Sequence, residues 1–135
     1  MERITSEWNV RVYFEDTDSG GVVYHANYLK FMERARTEWL RCLGLNQTTL
    51  KQQANVIFVV RKVKIQYKIP ARFNDELIIQ TDCIKIGNYS IMLKQNIYKD
   101  KKIITEGEVE IVCISSDLFK PVHIPKIAKQ LMETI

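Results

Sequence analysis

Proline, glycine, cysteine and histidine are all scarce here: three prolines, five glycines, three cysteines and two histidines in 135 residues. So little proline and glycine excludes a collagen-like chain, and no linker, repeat or low-complexity stretch is visible. The prolines, Pro70, Pro121 and Pro125, all fall at the edges of predicted elements. Cys42, Cys83 and Cys113 are odd in number and far apart, without Cys-x-x-Cys or Cys/His metal spacing. They read as buried apolar filler in a reducing compartment, and none has a histidine near it in sequence to activate a nucleophilic thiol. No apolar run approaches the roughly 18 residues that span a bilayer. Residues 1–8 carry charges of both signs and lack the apolar core of a secretory signal. The chain is therefore expected in the cytoplasm, with no membrane span.

What is present is ordinary for a globular protein: 46% hydrophobic and 27% charged residues, at a length that predicts one domain over residues 1–135. The net charge is +4. A mild basic excess suits a nucleic acid, an acidic membrane face or a small polyanion. Nucleic acid is set aside, since the chain has no RNP aromatic motif, no zinc-finger spacing and no dense Lys/Arg run.

Residues 10–14 predict a short strand, ended by the turn-rich Glu15-Asp16-Thr17-Asp18-Ser19-Gly20-Gly21. Residues 27–43 predict a helix: Tyr28, Phe31, Met32, Ala35, Trp39 and Leu43 share one face and Lys30, Glu33, Arg34, Glu38 and Arg41 the other. Asn27 is the expected N-cap and Gly44 the expected stop. After a short connection through residues 48–53, the period changes to two. Val63, Ile65, Tyr67 and Ile69 alternate with Lys62, Lys64, Gln66 and Lys68; runs at residues 77–83, 91–97 and 109–113 follow. Short turns at Gly87-Asn88 and Lys99-Asp100-Lys101 join them, and Pro125 opens a predicted helix running to Ile135. The pattern predicts an α+β fold in which an antiparallel sheet curls round one long helix. Its open edge predicts a homodimer that continues the sheet.

Chemistry concentrates between Glu15 and Tyr28. Two carboxylates and two glycines lead into the first turn of the long helix. Helix starts present unpaired N–H groups and partial positive charge, which polarise a carbonyl, while a nearby carboxylate supplies a base or nucleophile. Ester or thioester hydrolysis needs both. By residue type alone, a tight turn that caps a helix explains the loop more simply. A calcium loop fails, because Gly20 stands at the fifth ligand position and Asn27 stands where a glutamate is needed at the twelfth. His25 serves either as a side chain satisfied at the helix start or as a catalytic group. His123, between two prolines, reads as a surface residue, and Tyr24 and Tyr28 as packing residues.

The loop pattern D-x-D-x-x-G-x-V-x-x-x-x-Y, which begins at Asp16 and ends at Tyr28, resembles the signature of the 4-hydroxybenzoyl-CoA thioesterase branch of hotdog-fold proteins. The longer string Val-Arg-Val-Tyr-Phe-Glu-Asp-Thr-Asp-Ser-Gly-Gly-Val-Val-Tyr-His-Ala-Asn-Tyr, continued by Glu33-Arg-Ala-Arg, is similar to the YbgC-type acyl-CoA thioesterases of bacteria. So are Phe58-Val-Val-Arg-Lys and Pro70-Ala-Arg-Phe-Asn-Asp. The resemblance covers about the whole chain.

It implies a hotdog fold and hydrolysis of acyl-coenzyme A to carboxylate and thiol, without metal or redox cofactor. It assigns the catalytic carboxylate to Asp18, and to His25 a backbone N–H that polarises the carbonyl and a side chain that orients substrate or water. Gly21 and Tyr24 would border the substrate, and Asp16 and Glu15 would shape the loop. It also implies a site at a dimer interface, with dimers pairing into tetramers. In that light Arg61, Lys62, Lys64, Lys68 and Arg72 are expected to pair with the phosphates of coenzyme A. Each alone reads as an ordinary solvated strand face. Alternation puts Lys62, Lys64 and Lys68 on one face and Arg61 on the other. Asp18 as nucleophile or as base, acyl length, and coenzyme A or acyl-carrier protein as carrier all stay open. A non-catalytic acyl-thioester-binding module and a hotdog dehydratase are the rival functions.

Overall fold

In the computed structural model, which describes residues 6–133, the helix α1 (Asn27–Cys42) forms the axis around which everything else packs. Residues 1–5 of the amino-terminal stretch and residues 134–135 of the expected terminal helix lie outside the described residues. The buried stripe of α1 is Tyr28, Phe31, Met32, Ala35, Trp39 and Leu40, at the spacing of one helical face. Gly44 ends it with a φ of +82°, a left-handed turn that costs glycine little. The start differs from expectation. Ala26 is the cap and makes no side-chain bond, while Asn27 is the first helical residue and turns its amide to Asp16.

Five antiparallel strands wrap this helix: β1 (Ser6–Arg11), β2 (Val56–Tyr67), β3 (Glu76–Ile86), β4 (Ser90–Lys99) and β5 (Lys102–Ser115), in spatial order β1-β3-β4-β5-β2. The first strand stops at Arg11 and does not reach Phe14, which opens a single 3₁₀ turn over Phe14–Asp16. Between α1 and β2 the chain makes a short helix, α2 (Gln47–Thr49), and one wider turn over Leu50–Ala54. Asp100 and Lys101 both have positive φ, as the tight hairpin between β4 and β5 requires. A last helix, α3 (Lys126–Glu133), follows Pro125. Among the described residues no helix is long and apolar enough to cross a membrane.

Leu77, Ile79, Ile91, Leu93, Ile97 and Val109 leave the inner face of the sheet fully buried. Each such side chain contributes roughly 1.5–3 kcal/mol when removed from water. Contact is closest at Gly107 on β5, where a Cβ would come within 2.6 Å of Met32 Cε and 2.9 Å of the Gln95 carbonyl. Helix and sheet meet there because glycine has no side chain. Cys113 is buried and its thiol is pushed up to about 11 by that burial. Cys42 breaks the expectation of buried filler: the last turn of α1 runs out of cover, leaving Arg41, Cys42 and Gly44 exposed.

Candidate active site

The segment between β1 and α1 uses up one aspartate and frees the next. Asp16 Oδ2 accepts the Tyr13 N–H at 2.8 Å, Oδ1 accepts the Asn27 amide at 2.9 Å, and the Asp16 carbonyl takes the Tyr24 N–H at 2.9 Å. Both oxygens of that carboxylate are therefore spent on shaping the loop. Two residues on, the Asp18 N–H donates to the Val22 carbonyl at 2.9 Å and the Gly21 N–H to the Asp18 carbonyl at 3.0 Å. Gly21 closes this turn with a φ of +79°. The Gly20 N–H donates to Asp18 Oδ1 at 2.8 Å, which fixes the carboxylate, and Oδ2 has no partner among the described residues. A Cβ on residue 20 would sit 3.2 Å from Oδ1.

The loop is fastened to the connection between β2 and β3. Val23 donates to the Ala71 carbonyl at 2.8 Å, Ala71 donates to the Tyr28 hydroxyl at 3.1 Å, and Val22 pairs with Arg72. Between them lies a cleft of about 250 Å³, lined by Asp18, Val23, His25, Tyr28, Tyr67 and Lys68 among others. The His25 ring is exposed, with its centroid 4.5 Å from that of Tyr24 and 6.5 Å from that of Tyr67. The Tyr67 hydroxyl donates to the His25 carbonyl at 3.0 Å. The Tyr24 and Asn27 N–H groups are both taken, whereas the His25 N–H has no acceptor among the described residues. A free carboxylate oxygen and a free N–H at a helix start thus border one cleft. Burial holds the phenols of Tyr28 and Tyr67 above their ordinary range, so both remain protonated donors at neutral pH.

Gly21 and Tyr24 do not line the cleft. Gly21 makes the turn behind Asp18, and Tyr24 packs on His25. The five cations divide. Lys68 lines the cleft and Arg72 pairs with Val22 at its back. Lys62 and Lys64 line a separate groove on the sheet with Glu108 and Glu110. Most of them face acids on β5: Lys62 lies opposite Glu110 and Lys64 opposite Glu108, Arg61 pairs with Glu110, and Lys68 pairs with Glu106 at 2.5 Å. Arg61 corrects the expected alternation. A bulge between Val60 and Lys62 inserts a residue, and Arg61 reaches the same glutamate that faces Lys62. Tyr67 escaped the sequence reading because it looked like one more apolar strand position. Its place at the end of a strand, three residues before Pro70, was the available signal. Among the described residues no three His, Cys, Asp or Glu side chains gather to hold a metal.

The family model of the thioesterase-like superfamily matches residues 12–132. The acyl-CoA thioester hydrolase YbgC of Escherichia coli is 46% identical over 127 residues, 93% of this chain and 94% of that one. The acyl-CoA thioesterase YbgC of Haemophilus influenzae is 41% identical over 120 residues, 89% of this chain and 88% of that one. The crystal structure of a probable thioesterase from Bartonella henselae superposes with a TM-score of 0.86 at 35% identity, covering 90% of this chain and all of that one. With the strand order and central helix described above, these likenesses place the chain in the thioesterase-like superfamily, with the hotdog fold.

Proposed function

We propose that the protein is a cytoplasmic acyl-CoA thioesterase, working as one domain, with Asp18 as its catalytic carboxylate. The observation that carries this is the pair of free groups on one cleft: Asp18 Oδ2 and the His25 N–H. The N–H at the start of α1 receives the thioester oxygen as negative charge develops on it. Asp18 attacks the carbonyl carbon, or takes a proton from the water that does. Either route consumes one water and releases carboxylate and coenzyme A thiol. Tyr67 holds the His25 peptide in place through its carbonyl, and the His25 ring at the mouth orients substrate or water.

The working unit is a homodimer, alone or paired into a tetramer. Supporting this, β2 has β5 on one side and, among the described residues, no strand on the other, and its Val60, Val63 and Tyr67 are 46%, 38% and 44% exposed. Two such edges pairing antiparallel about a two-fold axis would bring the Phe58 end of one strand beside the partner's Tyr67, and so beside the partner's cleft. Of the five cations, Lys68 lines the cleft and Arg72 pairs with Val22 at its back, and these two are assigned to the phosphates of coenzyme A.

Thiol release from a panel of acyl-CoAs, by wild type and Asp18→Asn in parallel, tests the reading. Hydrolysis that vanishes in the variant is the expected result. Tight binding without thiol release would make the protein an acyl-thioester-binding module. In a single turnover in ¹⁸O water, direct attack by water puts the label in the product, whereas an Asp18 anhydride opened by water at the Asp18 carbonyl leaves the label on the enzyme.

A further inference from the structure

The ring of Tyr28 packs as its residue type suggests, but its hydroxyl group is only half used. The ring lies between Phe31 and Tyr67, whose centroids are 6.2 Å and 5.2 Å away. Its oxygen accepts the Ala71 N–H at 3.1 Å, while the O–H itself has no acceptor among the described residues. Tyr28 is 3% exposed and lines the cleft, so the acceptor for that proton has to come from whatever fills the cleft. Burial is the main cause that keeps this phenol protonated. Tyr67, Asp75 and Asp18 act in the same direction, against the hydrogen bond from Ala71.

Position singles out one acceptor. Long side chains of a helix lean back towards its N-terminus, so Tyr28, in the first turn of α1, reaches over the end where the His25 N–H is free. Tyr67 ties the two together: its ring lies against that of Tyr28, and its hydroxyl donates to the His25 carbonyl at 3.0 Å. Among the described residues no hydrogen bond joins Tyr28 to Asp18, although both border the cleft. A thioester oxygen that turns into an oxyanion is best held by two donors, and the His25 N–H is only one.

We propose that the Tyr28 hydroxyl is the second donor to the thioester oxygen, acting with the His25 N–H while Asp18, or the water it activates, attacks the carbonyl carbon. This rests on the function proposed above and adds a residue to its site. Tyr28 donates a hydrogen bond and keeps its proton, so the reaction still consumes one water and releases carboxylate and thiol. The Ala71 N–H fixes the phenol oxygen from behind, and the donor is therefore in place before charge develops. The competing acceptor is an oxygen carried by the acyl group itself. Straight-chain hydrocarbon acyl groups have none and so separate the two.

Tyr28→Phe keeps the ring and removes the donor. With the straight-chain acyl-CoA that wild type hydrolyses fastest, kcat should fall by about 100-fold or more while KM stays near wild type. The same change strips Ala71 of its acceptor, so a second readout separates donor from tether. In the Asp18→Asn protein, the ¹³C-labelled carbonyl of bound straight-chain acyl-CoA should absorb at higher infrared frequency once Tyr28→Phe is added. An unmoved band or an unchanged kcat overturns the proposal. So does a loss confined to hydroxyacyl- and ketoacyl-CoAs, which would assign the hydroxyl to the acyl group. Should Tyr28→Phe fail to fold, 3,5-difluorotyrosine at position 28 keeps the bond to Ala71 and ionises at lower pH. A phenolate cannot donate, so kcat should then fall in mildly alkaline solution where wild type holds steady; an unaltered profile counts against the donor. If Asp18→Asn hydrolyses as well as wild type, the function proposed above fails. If Asp18→Asn is inactive while Tyr28→Phe turns over normally, only the second donor fails.

Discussion

Asp18 and the cations of β2 are both charged groups that the sequence analysis assigned to one substrate, yet their surroundings differ. Around Asp18 the backbone does the structural work: Gly20 holds one carboxylate oxygen, Asp16 satisfies the neighbouring donors, and the second Asp18 oxygen is left over. Along β2 the charges answer one another, with Glu108 and Glu110 of β5 facing Lys64 and Lys62, and just past its end Lys68 pairs with Glu106. A carboxylate is ready for a reaction when its neighbours leave one of its oxygens unspent. Residue type and spacing do not report that, but hydrogen-bond partners do.

The sharpest way to break this comparison is at the aspartates. Asp18→Asn should cut kcat by roughly 100-fold or more while leaving the melting temperature near wild type, because only an unspent oxygen is altered. Asp16→Ala should do the reverse. It removes the acceptor of two hydrogen bonds and should lower stability in urea by about 1–3 kcal/mol. If Asp16→Asn abolished turnover and Asp18→Asn did not, the catalytic carboxylate would be the wrong one.

The cations give smaller effects. Lys68→Ala with Arg72→Ala should raise KM for acyl-CoA several-fold, at roughly 0.2–1 kcal/mol per exposed contact, with kcat nearly unchanged. An acyl-pantetheine thioester, which lacks the nucleotide, should show no such rise. Lys62→Ala with Lys64→Ala should move neither KM, since those side chains line a different groove. A larger rise from the second pair than from the first would return the phosphates to the sheet face.

The smallest effect concerns pH. The hydrogen bond and charge of Lys68 hold the Glu106 carboxyl below its usual range, with burial opposing them. A carboxyl depressed in the folded state adds stability above its unfolded pKa and loses it as pH falls through the folded one. Melting curves of wild type and Glu106→Gln should therefore converge in acid and separate towards neutrality. Parallel curves at every pH would show that the pair contributes nothing.

Much of the fold was legible from periodicity alone. The Tyr28–Trp39 face of α1 and the alternating runs of β2 to β5 fell where three-and-four and two-residue spacing put them. The bulge at Arg61 was not legible, because one inserted residue breaks the period without marking the sequence. Residue type singled out the Asp16–Tyr28 loop but did not partition its aspartates, which only the family resemblance told apart. Asp16 and Asp18 look alike as letters, and what separates them is Asn27, Tyr13 and Gly20 in three dimensions. Tyr67 needed its partner, the His25 carbonyl, to be seen as more than a strand aromatic.

The fastening of the Asp18–Tyr28 segment to Ala71 bears on when the cleft comes into being. Tyr28 and Ala71 are 43 positions apart, and β1 finds its strand partner only in β3, at Thr81 through Glu76. A chain leaving the ribosome completes α1 well before either partner exists, and closing so long a loop carries an entropic cost that is met only when the later strands dock. The nascent protein therefore holds a helix and Asp18 but no cleft. Hydrolysis begins with the finished sheet, so turnover itself reports, molecule by molecule, that folding has gone to completion.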